Sequence, residues 1–399
     1  MKALHERLGI PATVLLLAST HFVVDGFGNI YAPLLPLLIP RLGLSLTAAG
    51  TLAMLFQIAT SISQLGFGSL ADRWRPRLLL MTGPFLSVTV LSLIGLAESP
   101  ATLAAVLLIG GLGGAAFHPP AAALVHRVAG QRQGLALSIH ITGGTLGFSL
   151  GPLVFAPFVE HFGLHASWVL AIPAVIVLVL LLRHAPAIAP HADGRGGGFR
   201  ALRPYAFPLT LLYFIVVLRT VASTSFATFV PVMLTRRGLT VSQAGMTTAV
   251  YLFATGIGGF TGGPMADRFG ARRVIALSLV AAVPFLAVAP MLSGWAFVVA
   301  LACGGFFLQS TLPVNVTFGQ SIAPVSAATV SSLMMGFAWG TGGLCVPLVG
   351  YIADRIGIER TLMMTAVMPL AAAALALPLP ARRTHAPARA ADVGFPETA

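Results

Sequence analysis

From residue 10 onward the chain alternates long apolar runs with short breaks of charge, glycine and proline. The runs cover 10–39, 45–71, 78–97, 101–126, 134–159, 165–183, 205–234, 241–266, 274–291, 295–322, 327–353 and 361–380. A helix crosses a bilayer core in roughly 20 apolar residues. Apolar runs of that length recur along the whole chain. The pattern predicts an all-α polytopic membrane protein with twelve transmembrane helices. The first run follows Lys2 and Arg7, as a secretory signal would. It continues too far and lacks a small-residue cleavage pattern, so it reads as an uncleaved first helix.

One break is longer than the others. Residues 184–204, "HAPAIAPHADGRGGGFRALRP", are polar, glycine-rich and basic, and divide the chain almost in half. They read as a linker. The expected organisation is an N-terminal six-helix bundle (1–183), a cytoplasmic linker (184–204), a C-terminal six-helix bundle (205–380) and a disordered cytoplasmic tail (381–399). An internal repeat supports two halves. "GSLADRWRPRLLL" at 68–80 returns as "GPMADRFGARRVI" at 263–275, which sets Asp72 and Asp267 195 residues apart. Gly147 and Pro152 match Gly342 and Pro347 at the same offset. Many secondary transporters are built from such repeats, with the binding site between them near the membrane midplane.

Composition agrees. The 399 residues are 57% hydrophobic and 9% charged, where a soluble domain carries about a quarter charged. If the N-terminus is cytoplasmic, only Arg41, Arg236, Arg237, Arg355 and Arg360 face the opposite side. Arg219 lies inside a span, and every other lysine and arginine is cytoplasmic. That bias predicts both termini on the cytoplasmic face of the inner (plasma) membrane. It also accounts for the net charge of +12 without nucleic-acid binding. Cys303 and Cys345 both fall in apolar runs and predict no disulfide.

The G-x-L-A-D-R loop (Gly68, Leu70, Ala71, Asp72, Arg73) resembles the signature of the major facilitator superfamily. Arg75 stands where that family usually has glycine, and the second copy keeps it as Gly270. "HFVVD" (21–25), "FQIATSISQ" (56–64), "GGAAFHPPAA" (113–122) and "GLALSIHITGGTLGFSLGP" (134–152) look like the fosmidomycin-resistance branch of efflux proteins. Pro120 replaces the acidic residue usual in that branch. The resemblance implies two pseudo-symmetric six-helix bundles, a cavity lined by helices 1, 4, 7 and 10, and alternating access. It also implies a cytoplasmic conformational latch at Asp72, Arg73, Arg77, Asp267 and Arg268, loops that hold one conformer rather than bind a ligand. Gly143, Gly147, Gly151 and Pro152 match part of the glycine-proline pattern of proton-driven antiporters, with Phe155 and Ala156 in place of its closing glycines. The plain alternative is close helix packing, which small residues four apart permit in any membrane protein.

Of the acidic residues, Asp25 alone lies deep in a span. It sits ~20 Å above the cytoplasmic start of helix 1, with His21 one turn below on the same face. An ionisable group at such a depth marks a pathway or has a partner. Arg219 is the only basic residue well inside a span. It sits at a similar depth on helix 7, the repeat mate of helix 1. The two read as a functional pair, a shared substrate site, or a permanent structural ion pair. Asp25, His21 and His118 are the candidate proton-coupling groups. By helix counting, His118 and His140 lie ~10–12 Å deep, below His21, on a path to Asp25. Candidate substrate contacts are Arg219, Asn29, Gln57, Phe117, His140, Gln309 and Asn315. Each of the uncharged ones serves equally well as glue between helices.

No metal-ligand spacing, Ser-His-Asp set or phosphate loop is visible, so the chain does not read as an enzyme. The preferred reading is a secondary active transporter, a proton-coupled antiporter that exports a small drug-like or anionic molecule. An importer or uniporter of a small metabolite on the same fold, or a transport-inactive receptor, are the alternatives. The expected partners are the substrate, protons and the lipid bilayer. The expected state is a monomer, with no cofactor, metal or nucleic acid.

Overall fold

The computed structural model describes residues 11–73, 75–129, 132–184, 199–324 and 327–380. The expected tail, most of the expected linker and the first ten residues lie outside them, as do the side chains of Asp72 and Arg73. Twelve long helical runs follow one another, and no strand occurs among the described residues. The first six are α1 (Ala12–Leu42), α2 (Leu46–Gln57, Ile58–Ile62 and Ser63–Arg73), α3 (Pro76–Leu96), α4 (Pro100–Val128), α5 (Gln133–Phe162) and α6 (Leu164–His184). The last six are α7 (Ala206–Arg236), α8 (Val241–Phe269), α9 (Ala271–Met291), α10 (Gly294–Ile322), α11 (Ala327–Ser331, Ser332–Phe337, Ala338–Gly343 and Val346–Ile356), and α12 (Ile358–Thr365 and Met368–Ala376). Eleven runs are long and apolar enough to cross a membrane. The exception is α8, long enough at 29 residues but diluted by glycine, threonine and Gln243.

The expected spans match these runs, with internal breaks that hydropathy does not reveal. The run expected at 10–39 is two helices, Ala12–Gly28 and Tyr31–Leu42. Pro33 has no N–H to offer the Asn29 carbonyl, which frees the chain to turn there. The amides of Asn29 and Ile30 tighten to the carbonyls of Gly26 (3.1 Å) and Phe27 (3.0 Å). In α11, Pro347 deprives the Gly343 carbonyl in the same way, and the helix restarts at Val346. α2 and α11 each also carry a π-helical stretch, Ile58–Ile62 and Ser332–Phe337. π turns interrupt an α-helix locally and are frequent at functional sites.

Among the first six helices α1 packs on α5 and α3 on α4; among the last six, α10 packs on α8 and α9. The two sets meet chiefly along α5 against α8 and α2 against α11. Lipid tails are as apolar as the side chains, so close backbone approach drives such contacts. Along α1 and α5 the approach is set by glycine. A Cβ at Gly143, Gly147 or Gly151 would collide with the carbonyl oxygen of Ala18, Phe22 or Gly26. These are two ridges, each stepping by four residues. The segment singled out for its resemblance to an antiporter motif is thus the α1–α5 contact. Pro152 lies at the α5–α8 seam, its carbonyl 2.9 Å from where a Cβ of Gly245 would stand.

Candidate functional site

That glycine contact brings α5 against the polar face of α1. His21 and Asp25 share that face one turn apart, with His21 Nε2 3.1 Å from Asp25 Oδ2. From α4, His118 Nε2 approaches Asp25 Oδ1 at 3.5 Å. His21 Nδ1 lies 2.9 Å from the carbonyl oxygen of His140. A carbonyl only accepts, so Nδ1 carries the hydrogen. The imidazoles of His118 and His140 stand 5.0 and 4.4 Å from that of His21, centroid to centroid. Phe117 is fully buried beneath them, its ring 5.9 Å from that of His21. Asp25 and His118 keep 23% and 24% of their side-chain surface exposed, while His140 is buried and its Nδ1 has no hydrogen-bond partner.

Two expectations change here. His118 and His140 do not sit below His21 on the way to Asp25: His118 meets Asp25 directly, and the His140 ring lies beside that of His21. Measured from the observed helix ends, His21, His118 and His140 lie ~14, ~15 and ~11 Å in, nearly one level. The expected start of α1 and the assumed alignment of the helix ends misplaced them. The expectation of no metal-ligand grouping is also corrected. Ligand-type atoms of His21, Asp25 and His118 all lie within 4.8 Å of one another. His21 and Asp25 stand four residues apart on α1, but the third member, His118, arrives from α4, 93 positions further on, so no local spacing announces the set.

Gly144 was missed. A Cβ there would stand 2.6 Å from Asp25 Oδ2 and collide with His21 Nε2. The glycine therefore makes room for the ion pair itself, one residue away from the ridge that packs on the α1 backbone. Its signal in the sequence is the doublet Gly143–Gly144, of which only the first member belongs to the spaced pattern.

Arg219 on α7 has different company. It is 1% exposed. Its Nη1 donates to Gln309 Oε1 of α10 and its Nη2 to Thr220 Oγ1 at 3.2 Å. The guanidinium carbon lies 5.4 Å from the centre of the Trp339 ring of α11, within cation–π range. Nε has no hydrogen-bond partner. Among the described residues no carboxylate pairs with Arg219, and the ion pairs of Asp25 are with His21 and His118. The anticipated Asp25–Arg219 pair is therefore absent from this conformation. Repeat-mate positions equalise depth but not the rotation of a side chain about its helix, and each group is met by nearer polar neighbours.

The remaining candidates scatter. Asn29 is buried and donates to the Phe148 carbonyl at 2.8 Å, tying the break in α1 to α5. Gln57 donates to Ser61 Oγ at 2.8 Å, and its side chain fills the space a Cβ at Gly343 of α11 would need. Asn315 is fully buried, with neither amide atom hydrogen-bonded. The latch residues expected in loops stand in helices instead: Arg77 is exposed in the first turn of α3, and Asp267 and Arg268 lie in the last turn of α8, Arg268 5.2 Å over the Phe269 ring, before Gly270 with φ +89°.

A bundle of membrane-length helices holding ionisable side chains inside its spans is the build of a membrane transporter. The chain belongs to the major facilitator superfamily, whose family model matches residues 17–217 and again 212–398. It is 29% identical over 366 residues to the fosmidomycin resistance protein of Escherichia coli (strain K12), covering 89% of each chain. It is also 29% identical over 373 residues to YfnC, an uncharacterized MFS-type transporter of Bacillus subtilis (strain 168), covering 90% of each. In fold it resembles the D323A mutant of the nucleoside transporter NupG. The TM-score is 0.77 at 14% identity, over 92% of this chain and 99% of that one. The protein is thus a multi-pass membrane transporter and not an enzyme.

Proposed function

We propose that the protein is a proton-coupled antiporter that exports a small anionic solute by alternating access. In this reading Asp25, His21 and His118 carry the coupling proton and Arg219 with Gln309 anchors the anion. One observation carries it. The His140 carbonyl holds the hydrogen on His21 Nδ1, so the 3.1 Å contact between His21 Nε2 and Asp25 Oδ2 needs one more proton. With that proton the contact is a charge-assisted hydrogen bond. Without it, a lone pair faces a carboxylate, and the arrangement loses its reason to hold. Proton occupancy is thereby tied to how α1 packs against α4 and α5.

The buried guanidinium supplies the complementary half. A cation lacking a carboxylate partner favours a conformer in which an anion neutralises it. The two centres need no direct contact. Each biases the same rocking motion of residues 1–183 against 205–380, with Gly143, Gly147, Gly151 and Pro152 as the close-packed face. Asp72, Arg73, Arg77, Asp267 and Arg268 latch one of the two conformers. Phe117 and His140 shape the proton site, while Asn29, Gln57 and Asn315 steady the helices around the solute. The protein works as a monomer in the inner membrane with both termini cytoplasmic. Export is supported by the E. coli relative, a fosmidomycin resistance protein.

The test is reconstitution into liposomes with an imposed pH gradient and a panel of anions. Uphill solute movement with stoichiometric proton counterflow is expected. Transport that equilibrates the solute and ignores the gradient would overturn proton coupling.

A further inference from the structure

The first six helices and the last six also meet at the end of the bundle where α1, α5, α7 and α11 finish. Two carboxylates cross between them there. Asp354, near the end of α11, accepts from the backbone N–H groups of Leu46 and Thr47, at 2.9 Å each, and from Thr47 Oγ1 at 2.6 Å. Leu46 and Thr47 open α2, whose N-cap Ser45 takes the Ala48 N–H. Glu160, near the end of α5, accepts from the backbone N–H of Ser242 at 2.6 Å. Ser242 stands in the first turn of α8, whose Thr240 and Gln243 form a capping box. Each helix start leaves N–H groups that its own backbone cannot satisfy, and its dipole favours a negative charge. In both cases that charge arrives from the other set of six helices.

The two contacts are mates under the repeat. An offset of 195 residues carries Leu46 and Thr47 onto Val241 and Ser242, and places Asp354 one residue from Glu160. The same offset relates Gly50 to Gly245 and Pro152 to Pro347. A Cβ at Gly50 would stand 2.6 Å from the Val346 carbonyl and 3.1 Å from Pro347 Cα. A Cβ at Gly245 would stand 2.9 Å from the Pro152 carbonyl. Close backbone approach and a carboxylate-to-helix bond thus occur together, twice, in two seams related by the internal symmetry.

We infer that Asp354 and Glu160 form a paired clamp that holds this end of the bundle shut, and that both contacts release when it opens. The inference rests on the alternating-access reading only in calling the opening part of a transport cycle. The clamp positions helices and touches no solute. Asp354 takes two N–H groups of the α2 start and a hydroxyl, while Glu160 takes one N–H of the α8 start with the Ser242 and Thr240 hydroxyls beside it, so the α2–α11 side satisfies more of the helix-start amides.

Double electron–electron resonance tests it without any substrate. Spin labels are placed at Glu98→Cys and Ser293→Cys, exposed repeat mates at the same end, with Cys303 and Cys345 changed to alanine. In the parent a short distance should dominate. Asp354→Asn should raise a longer-distance population several-fold, Glu160→Gln less, and the double variant should make it the main one. Thr47→Val, which removes one donor and no charge, should shift the distribution slightly in the same direction and guards against misfolding of the others. Unchanged distances in a double variant that elutes as the parent does would overturn the clamp and leave proton coupling untouched. A population shift in variants that show no proton-driven transport even in the parent background would sustain the clamp and overturn the coupling instead.

Discussion

The centre on α1 and the centre on α7 occupy repeat-mate helices, yet they are built in opposite ways. Asp25 is a carboxylate about a quarter exposed and paired with imidazoles from α1 and α4, with the α5 imidazole of His140 beside that of His21. Arg219 is a cation sealed from solvent, held by an amide, a hydroxyl and an indole face. The first arrangement suits a group that must exchange protons, because histidine and carboxylate both change charge readily. The second suits a group whose charge must not change, since a guanidinium stays protonated throughout the physiological range. A duplicated scaffold therefore supplies equal depth, and the side chains around each position decide what the charge there can do.

The sharpest way to break the comparison is at the cation. Arg219→Ala should weaken equilibrium binding of an anionic solute by about 100-fold, the loss expected for ~2–3 kcal/mol of charge-assisted hydrogen bonding. Arg219→Lys should recover part of it, because an ammonium keeps the charge but not the planar fork. Undiminished binding in Arg219→Ala, measured by calorimetry on purified protein, would remove the anion site from the last six helices.

Next comes the acid. Asp25→Asn keeps size and some hydrogen bonding but cannot carry the shared proton as a charge. It should abolish proton-driven accumulation and flatten the pH dependence of transport, while solute exchange across liposomes with no gradient continues. Uphill movement persisting in that variant would make the carboxylate structural.

Gly144→Ala should have a smaller effect, of a different kind. Its Cβ would press on Asp25 Oδ2 and His21 Nε2, and overpacking of this sort costs about 1–3 kcal/mol. A lowered melting temperature together with a shifted pH–rate profile is expected. Gly134→Ala, near the start of the same helix with nothing within 4 Å of the new Cβ, is the control that should move neither. The smallest effect belongs to His118→Gln, since its contact with Asp25 is the longer one, 3.5 Å against 3.1 Å. A few-fold slowing of proton-coupled turnover with unchanged solute affinity is expected from paired rate and binding measurements.

Much of the architecture was legible before any coordinate. Eleven of the twelve helices follow from apolar length, because every helix must satisfy its own backbone in lipid and hydropathy is a local property, while α8 is more dilute. The pairing of His21 with Asp25 follows from a spacing of four, and the duplication from a constant offset of 195 residues. The spaced glycines on α5 announced a close helix contact, though not that α1 was its partner. What lay beyond the sequence depends on the rotation and mutual height of helices far apart in the chain. Asp25 looked towards Arg219 when only depth was compared, yet it is met by His118 from α4 and crowded by Gly144 from α5. Arg219 turned instead to Gln309 and Trp339. The helix-start contacts of Asp354 and Glu160 join residues separated by 308 and 82 positions. No local pattern encodes such distances. They are decided by which backbone ridges can approach most closely, and that is a property of the packed bundle.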